Sequence, residues 1–389
     1  MVSMPMLLFF LVGLIQASVV RLPSPVTEKN YYHETMVTHL DLTDPNTPDD
    51  LNPALNRKMQ ISLFYPILGS WCSVTCGFPY MPAVASSFTS KQFLGANNTY
   101  FDSFEFTACC AAPDHKHDPG KVPLLILDPA VGTSRHVYGI LAQRIASGGT
   151  AVVTIDHPHD TSVIQFENGD TVQGSVQLNP FVAINPWNAT VDNALTARTA
   201  DIKYVLSQLA VVDVVKKLLP SLNVQHAFKT DSFGIAGHGL GGTVATYFGV
   251  SDNRTAVSIN IDGTPPLLTQ NTTKNFVFFG RDPGARREDD IHWNSTWNHI
   301  FGQKTAYNLQ KGDVFDFTDL PYLNTKLVDP HSGQMKGLGE IGVNGTTATA
   351  AMVAAYMKQQ FSNPQDLGLR ALTEALQDWP GLLPLGQNS

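Results

Sequence analysis

Basic charge is scarce in this chain: 25 lysines and arginines stand against 33 aspartates and glutamates in 389 residues, a formal net charge of -8. No block of lysines or arginines occurs, so the electrostatic footprint of a nucleic-acid binder is missing and no nucleic-acid partner is expected. Cysteine is scarcer still, with Cys72, Cys76, Cys109 and Cys110 and none after residue 110. They lack the paired C-x-x-C or histidine spacing of a zinc site, so no metal is expected, and no cofactor. Internal repeats and long low-complexity stretches are also absent. Past the first 18 residues no stable membrane span is expected.

Residues 1–18 run from Met6 through Ile15 as an apolar core into Gln16-Ala17-Ser18, a length that suits a signal peptide cleaved near Ala17. Residues 19–389 are then expected to form one domain, since an α/β chain of this size often does and 43% hydrophobic residues suffice for a large core. Six sequons follow, at Asn97, Asn188, Asn253, Asn271, Asn294 and Asn344, and agree with passage through the secretory pathway to a secreted or vesicular-lumen destination. In that setting an even number of cysteines reads as two disulfides tying down an excursion at about 67–120, in a pairing left open. Adjacent Cys109 and Cys110 are each expected to reach back to Cys72 or Cys76.

The central stretch is 233–249, an apolar strand passing through Gly237-His238-Gly239-Leu240-Gly241-Gly242 into a helix. It has the outline of a nucleophile elbow, G-x-S-x-G, in which a serine stands at the apex of a strained turn. Here the apex is Gly239. Around it, continuous apolar runs at 122–127, 151–155, 257–261 and 275–279 read as strands buried on both faces, with a last strand near 307–309. Met59 to Tyr65 alternates like a strand at the start. Helices are expected at about 137–146, from about Asp192, at 347–361 and at 364–377. The alternation implies an α/β fold with a mostly parallel sheet and helices on both faces. In such sheets the site lies beyond the strands' carboxyl ends, so loops at 128–135, 156–160, 237–242, 262–265 and 312–316 should converge.

Taken in order, these loops resemble the α/β-hydrolase fold, and more closely the secreted fungal relatives of platelet-activating-factor acetylhydrolase. The similarity is carried by Ser62 to Pro66, Cys109-Cys110, Pro129 through Arg135, Thr154 to Pro158, Ile261-Asp262-Gly263 and Phe317 to Pro321. The resemblance implies a serine at Gly239, an acid at Asp262 and a histidine at Val314; only the acid is present. It places the oxyanion donors on the amides of Val131 and Leu240, with Pro129, Arg135 and His238 lining the pocket. Asp128, His157 and His159 join Asp262 as candidate titratable groups, each with a structural role as the rival, and His331 is a possible substitute base. Without hydroxyl or imidazole the ordinary serine-esterase steps have no carriers. Three functions remain open: a non-hydrolytic cyclase or isomerase acting on a small polyketide-, terpenoid- or alkaloid-like intermediate; an inactive shell that binds a lipid, metabolite or partner; and a hydrolase with a relocated base. The expected ligand is a small hydrophobic metabolite or lipid-like molecule.

Overall fold

The computed structural model describes residues 19–27, 32–95, 99–175, 189–281, 291–326, 338–339, 343–362 and 366–387. The signal-like segment 1–18, the sequons Asn97 and Asn188, and His331 lie outside them. Nine strands form the central sheet: β1 (His33–Pro48), β2 (Asn56–Leu68), β3 (Leu124–Asp128), β4 (Ala151–Asp156), β5 (Phe233–His238), β6 (Thr255–Ile261), β7 (Asn275–Arg281), β8 (Lys304–Leu309) and β9 (Leu382–Gln387). They lie side by side as β9-β8-β7-β6-β5-β3-β4-β2-β1. β3 to β8 are mutually parallel. β1, β2 and β9 run antiparallel to their neighbours and extend the two edges.

The strand period of two divides the core cleanly between the faces. Leu125, Leu127 and Val152 pack on one face with helices Gly139–Ser147 and Val343–Phe361. Leu124, Ile126 and Val153 pack on the other with helices Ala189–Leu209 and Leu240–Ser251. Two strands depart from the sequence reading. β1 occupies a polar, proline-bearing stretch for which no strand was expected, and its long pairing with β2 supplies the order that its composition does not suggest. β9 follows the strand expected to be last and closes the far edge against β8.

The excursion after β2 forms a second, four-stranded sheet in which Phe104–His117 pairs with Val20–Leu22, Val74–Pro79 and Leu222–Val224. Cys72 is bonded to Cys109 and Cys76 to Cys110, which settles the open pairing. Tyr80, Phe93, Phe101, Phe104 and Phe106 from this excursion belong to the same core cluster as the helix Gly139–Ser147. Asp319 fixes that seam: its buried carboxylate accepts from the Ile140 amide at 2.7 Å, the Leu141 amide at 3.0 Å and the Tyr80 hydroxyl at 2.9 Å. Among the described residues no helix is long and apolar enough to cross a membrane.

Candidate active site

β5 delivers His238 to the carboxyl edge, and the chain turns at Gly239 into the helix Leu240–Ser251. Gly239 has φ 55° and ψ -121°, a conformation that L side chains rarely adopt. The turn is locked from both ends: the Gly239 amide donates to the Ile261 carbonyl at 2.9 Å, and the Gly239 carbonyl accepts from the Gly242 amide at 2.9 Å. Gly241 is required by crowding, since a Cβ there would overlap the Asp128 carbonyl. The helix therefore sits hard against the end of β3, in the geometry of a nucleophile elbow whose apex has no side chain.

Leu240 is the first residue of its helix, where an amide has no intrahelical acceptor. Val131 sits in the turn after β3, whose frame is held by the Tyr138 hydroxyl accepting from the Ala130 amide at 3.0 Å and the Asp160 carbonyl accepting from the Gly132 amide at 2.9 Å. Neither the Val131 nor the Leu240 amide is engaged by a hydrogen bond from the described residues. Both residues are half-buried, and neither donor is spent on the described fold.

His238, just before the apex, is buried and bonded through Nδ1 to the Tyr138 hydroxyl at 2.9 Å, while Nε2 has no hydrogen-bond partner among the described residues. Burial and then the Arg281 charge push its pKa down to about 3, so the ring is neutral at any physiological pH. At the end of β6, Asp262 takes φ 52°, its amide donating to the Phe279 carbonyl at 2.8 Å. Its carboxylate accepts from Arg281 Nε at 2.7 Å. Arg281 Nη1 lies 3.9 Å from Asp313, whose own carboxylate accepts from the Val314 amide at 2.6 Å and caps the short helix Val314–Phe317. Asp262, the acid the resemblance implies, is thus joined to a guanidinium, and Val314 presents an apolar side chain packed against the core.

The remaining candidates fall into a neighbouring buried network. His157 is held between Asp128 and Asp201, each at 2.8 Å, with one ring nitrogen on each carboxylate. Burial opposes its charge, but Asp128 and Asp201 outweigh burial and raise its pKa to about 9. Arg198 joins Asp128 at 3.1 Å, the Pro129 carbonyl at 2.6 Å and Asp160, and Arg57 joins Asp201 at 2.7 Å. His159 faces Asp49 at 2.8 Å. Arg135 is buried in an ion pair with Asp156 and a 2.7 Å bond to the Ser62 hydroxyl. The structure thus assembles Gly239, Leu240, Val131, His238, Asp262 and Val314 at one site. It sets Asp128, His157, His159 and Arg135 among partners of their own.

Arg281, Tyr138, Arg198 and Asp201 were not singled out from the sequence. Arg281 left one signal, a cation closing an apolar strand next to the strand that ends in Asp262. The four sequons within the described residues, Asn253, Asn271, Asn294 and Asn344, are exposed. Among the described residues no cluster of metal-ligating side chains occurs. A groove of about 420 Å³ lies along the helix Ala189–Leu209, lined by Leu195, Thr199, Lys203 and Tyr247, and involves none of the turn residues Gly237 to Gly242.

The family model described as "Platelet-activating factor acetylhydrolase, isoform II" matches residues 77–274. The matched span contains Gly239 and Asp262 and ends before Arg281 and Val314. A "Probable 1-alkyl-2-acetylglycerophosphocholine esterase" of Arthroderma benhamiae is 27% identical over 305 residues, covering 72% of this chain and 73% of that protein. A ferulic acid esterase from Streptomyces cinnamoneus superposes with a TM-score of 0.64 at 24% identity, over 84% of this chain and 90% of the other, a likeness of fold.

Proposed function

The chain belongs to the platelet-activating factor acetylhydrolase, isoform II, family, and from that premise we propose that it is a non-hydrolytic enzyme, a cyclase or isomerase that polarises a carbonyl group of a small polyketide-, terpenoid- or alkaloid-like molecule. One observation carries the reading: the elbow keeps its strained backbone and its two unengaged amides at Val131 and Leu240, while position 239 carries no nucleophile. A carbonyl oxygen seated on those amides gains stabilisation as negative charge grows on it, which favours enolate-like transition states. Pocket and oxyanion hole without a working triad are worth about 10³- to 10⁴-fold over water in a serine protease, enough to direct a cyclisation, Michael addition, elimination or isomerisation within one bound molecule. The two disulfides and the exposed sequons support a place for this chemistry in the secretory pathway.

A second reading, a binding shell, draws on Asp262. Its carboxylate is paired with Arg281, which lowers its value as a general base. Comparing the metabolites of a deletion strain with those of its parent supplies the accumulating compound. Conversion of that compound by purified protein, with no cleavage of nitrophenyl esters above background, supports the enzyme. Tight binding without conversion leaves the shell. Fluorophosphonate labelling of a serine whose substitution abolishes ester cleavage would return the chain to the hydrolases.

A further inference from the structure

We propose that Asn271 carries an N-linked glycan whose first N-acetylglucosamine lies flat against the exposed ring of Phe301. The proposal rests on the secretory route supported above and is independent of the chemistry of the elbow. Asn271-Thr272-Thr273 is the sequon just ahead of β7. Its backbone belongs to no helix, and Asn271 is exposed, with no side-chain hydrogen bond among the described residues. Two other sequons are placed differently. Asn294 lies in the helix Ile291–His299, where Asn298 Nδ2 donates to its Oδ1 at 3.5 Å, and Asn344 lies in the helix Val343–Phe361.

The surroundings of Asn271 are set by one parallel bridge. Thr272 pairs with Ile300 in the register of the β7–β8 ladder. The Thr272 amide donates to the His299 carbonyl at 2.9 Å, and the Phe301 amide donates to the Thr272 carbonyl at 2.7 Å. Thr272 and Ile300 are 8% and 2% exposed, so the alternation of extended backbone turns Asn271, Thr273 and Phe301 outward on one face. Thr273 then stands opposite Phe301, and Asn271 lies on the diagonal, roughly 8 Å away by strand spacing and rise, a gap that one Asn-linked sugar spans. Ile300 packs with Phe276, Phe278 and Trp297, whereas the Phe301 side of the chain faces water, with Phe301 68% exposed. A pyranose presents C–H bonds of slight positive charge on its apolar face, and the face of a phenyl ring is negative, so the two stack without any ionic partner. The site stands at the amino ends of β7 and β8, the opposite edge of the sheet from the elbow, and leaves the approach to Gly239 open.

Glycopeptide mapping of the protein from its producing organism is expected to find Asn271 modified. After enzymatic trimming to the first N-acetylglucosamine, the NMR signals of that sugar's ring protons should be shifted upfield by the Phe301 ring, a measurement that requires no substitution. Urea unfolding then compares the glycosylated chain with Thr273→Ala, which keeps Asn271 and removes the sequon, in the wild-type, Phe301→Ala and Phe301→Trp backgrounds. The glycan is expected to raise the folding equilibrium constant about fivefold, a margin that Phe301→Ala removes and Phe301→Trp retains. A bare Asn271, unshifted sugar protons, or a margin that survives in Phe301→Ala overturns the proposal. A bare Asn271 beside a modified sequon elsewhere overturns it and leaves the secretory route standing, whereas bare sequons together with reduced cysteines remove that route as well.

Discussion

The ionic cluster around His157 and the one around Asp262 stand at the carboxyl ends of strands in one sheet, yet they obey different energetics. Around His157 the partners are Asp128, Asp160, Asp201, Arg57 and Arg198, with side chains between 0% and 13% exposed. Removing one member there leaves a charge buried without its counter-ion. Around Asp262 the chain of charges runs through Arg281 at 37% and Asp313 at 35% exposure, where water screens each loss. The buried cluster holds the first loop of the site by gripping Pro129 and Asp128. The exposed one is open to remodelling at small cost to the fold. The loop that carries Val131 is therefore held independently of the charges around Asp262.

The sharpest way to break the comparison is Arg198→Leu, which strands Asp160 and leaves Asp128 with His157 alone. It is expected to lower unfolding free energy by about 3–5 kcal/mol in urea titrations. A cost below that of Asp262→Asn would show the two clusters to be alike. Next comes pH. His157 has its folded pKa raised from 6.5 to about 9, so its contribution is complete below pH 6.5 and is lost as pH rises through about 9. Its size is about 3 kcal/mol, at 1.36 kcal/mol per unit of linkage. Asp128 and Asp201 are lowered, against the pull of burial, by their cationic partners, so their contributions vanish on the acid side below pH 3.8. Wild type should lose stability between pH 6.5 and 9, and His157→Gln should flatten that slope; parallel slopes would remove the imidazolium from the account.

A smaller effect is expected at the apex. Gly239→Ser puts a Cβ 3.2 Å from the Ala130 Cβ at φ 55°, so it should cost about 1–2 kcal/mol in thermal unfolding and yield no ester cleavage, because Val314 provides no base. If wild type converts its metabolite, the same variant should abolish conversion by crowding the oxyanion site. The smallest is Asp262→Asn, expected within about 1 kcal/mol of wild type, since Asn tolerates the positive φ and the pair with Arg281 is partly exposed. A larger loss would make Asp262 a structural anchor like Asp128.

The sheet was legible because its strands, such as Leu124–Asp128 and Ala151–Asp156, are short apolar runs that end in polar loops. β1 was not, because Thr, Asp, His and Pro dilute its pattern and its order comes from β2. At the site, the backbone pieces could be read from glycines, since Gly239 and Gly241 answer local geometry. Charge partnerships could not. His157 meets Asp201 across 44 positions and Arg57 meets Asp201 across 144, so no spacing along the chain announces them. Arg281 meets Asp262 across 19 positions, because β6 and β7 are adjacent and parallel, and only that adjacency turns a strand-ending arginine into the acid's partner.

Asp319 has a consequence for folding kinetics. Its carboxylate joins Tyr80, 239 residues away, to the amides of Ile140 and Leu141, about 180 away, so these bonds require closure of very long loops. Contacts of such separation form after the local helix and strand pairings. Asp319→Asn is therefore expected to act mainly on the rate of unfolding and little on the rate of refolding. In stopped-flow experiments the unfolding limb should rise while the refolding limb stays in place. The seam between the disulfide-bonded sheet and the main domain then acts as a latch on lifetime, setting how long a folded molecule persists between excursions to the unfolded state.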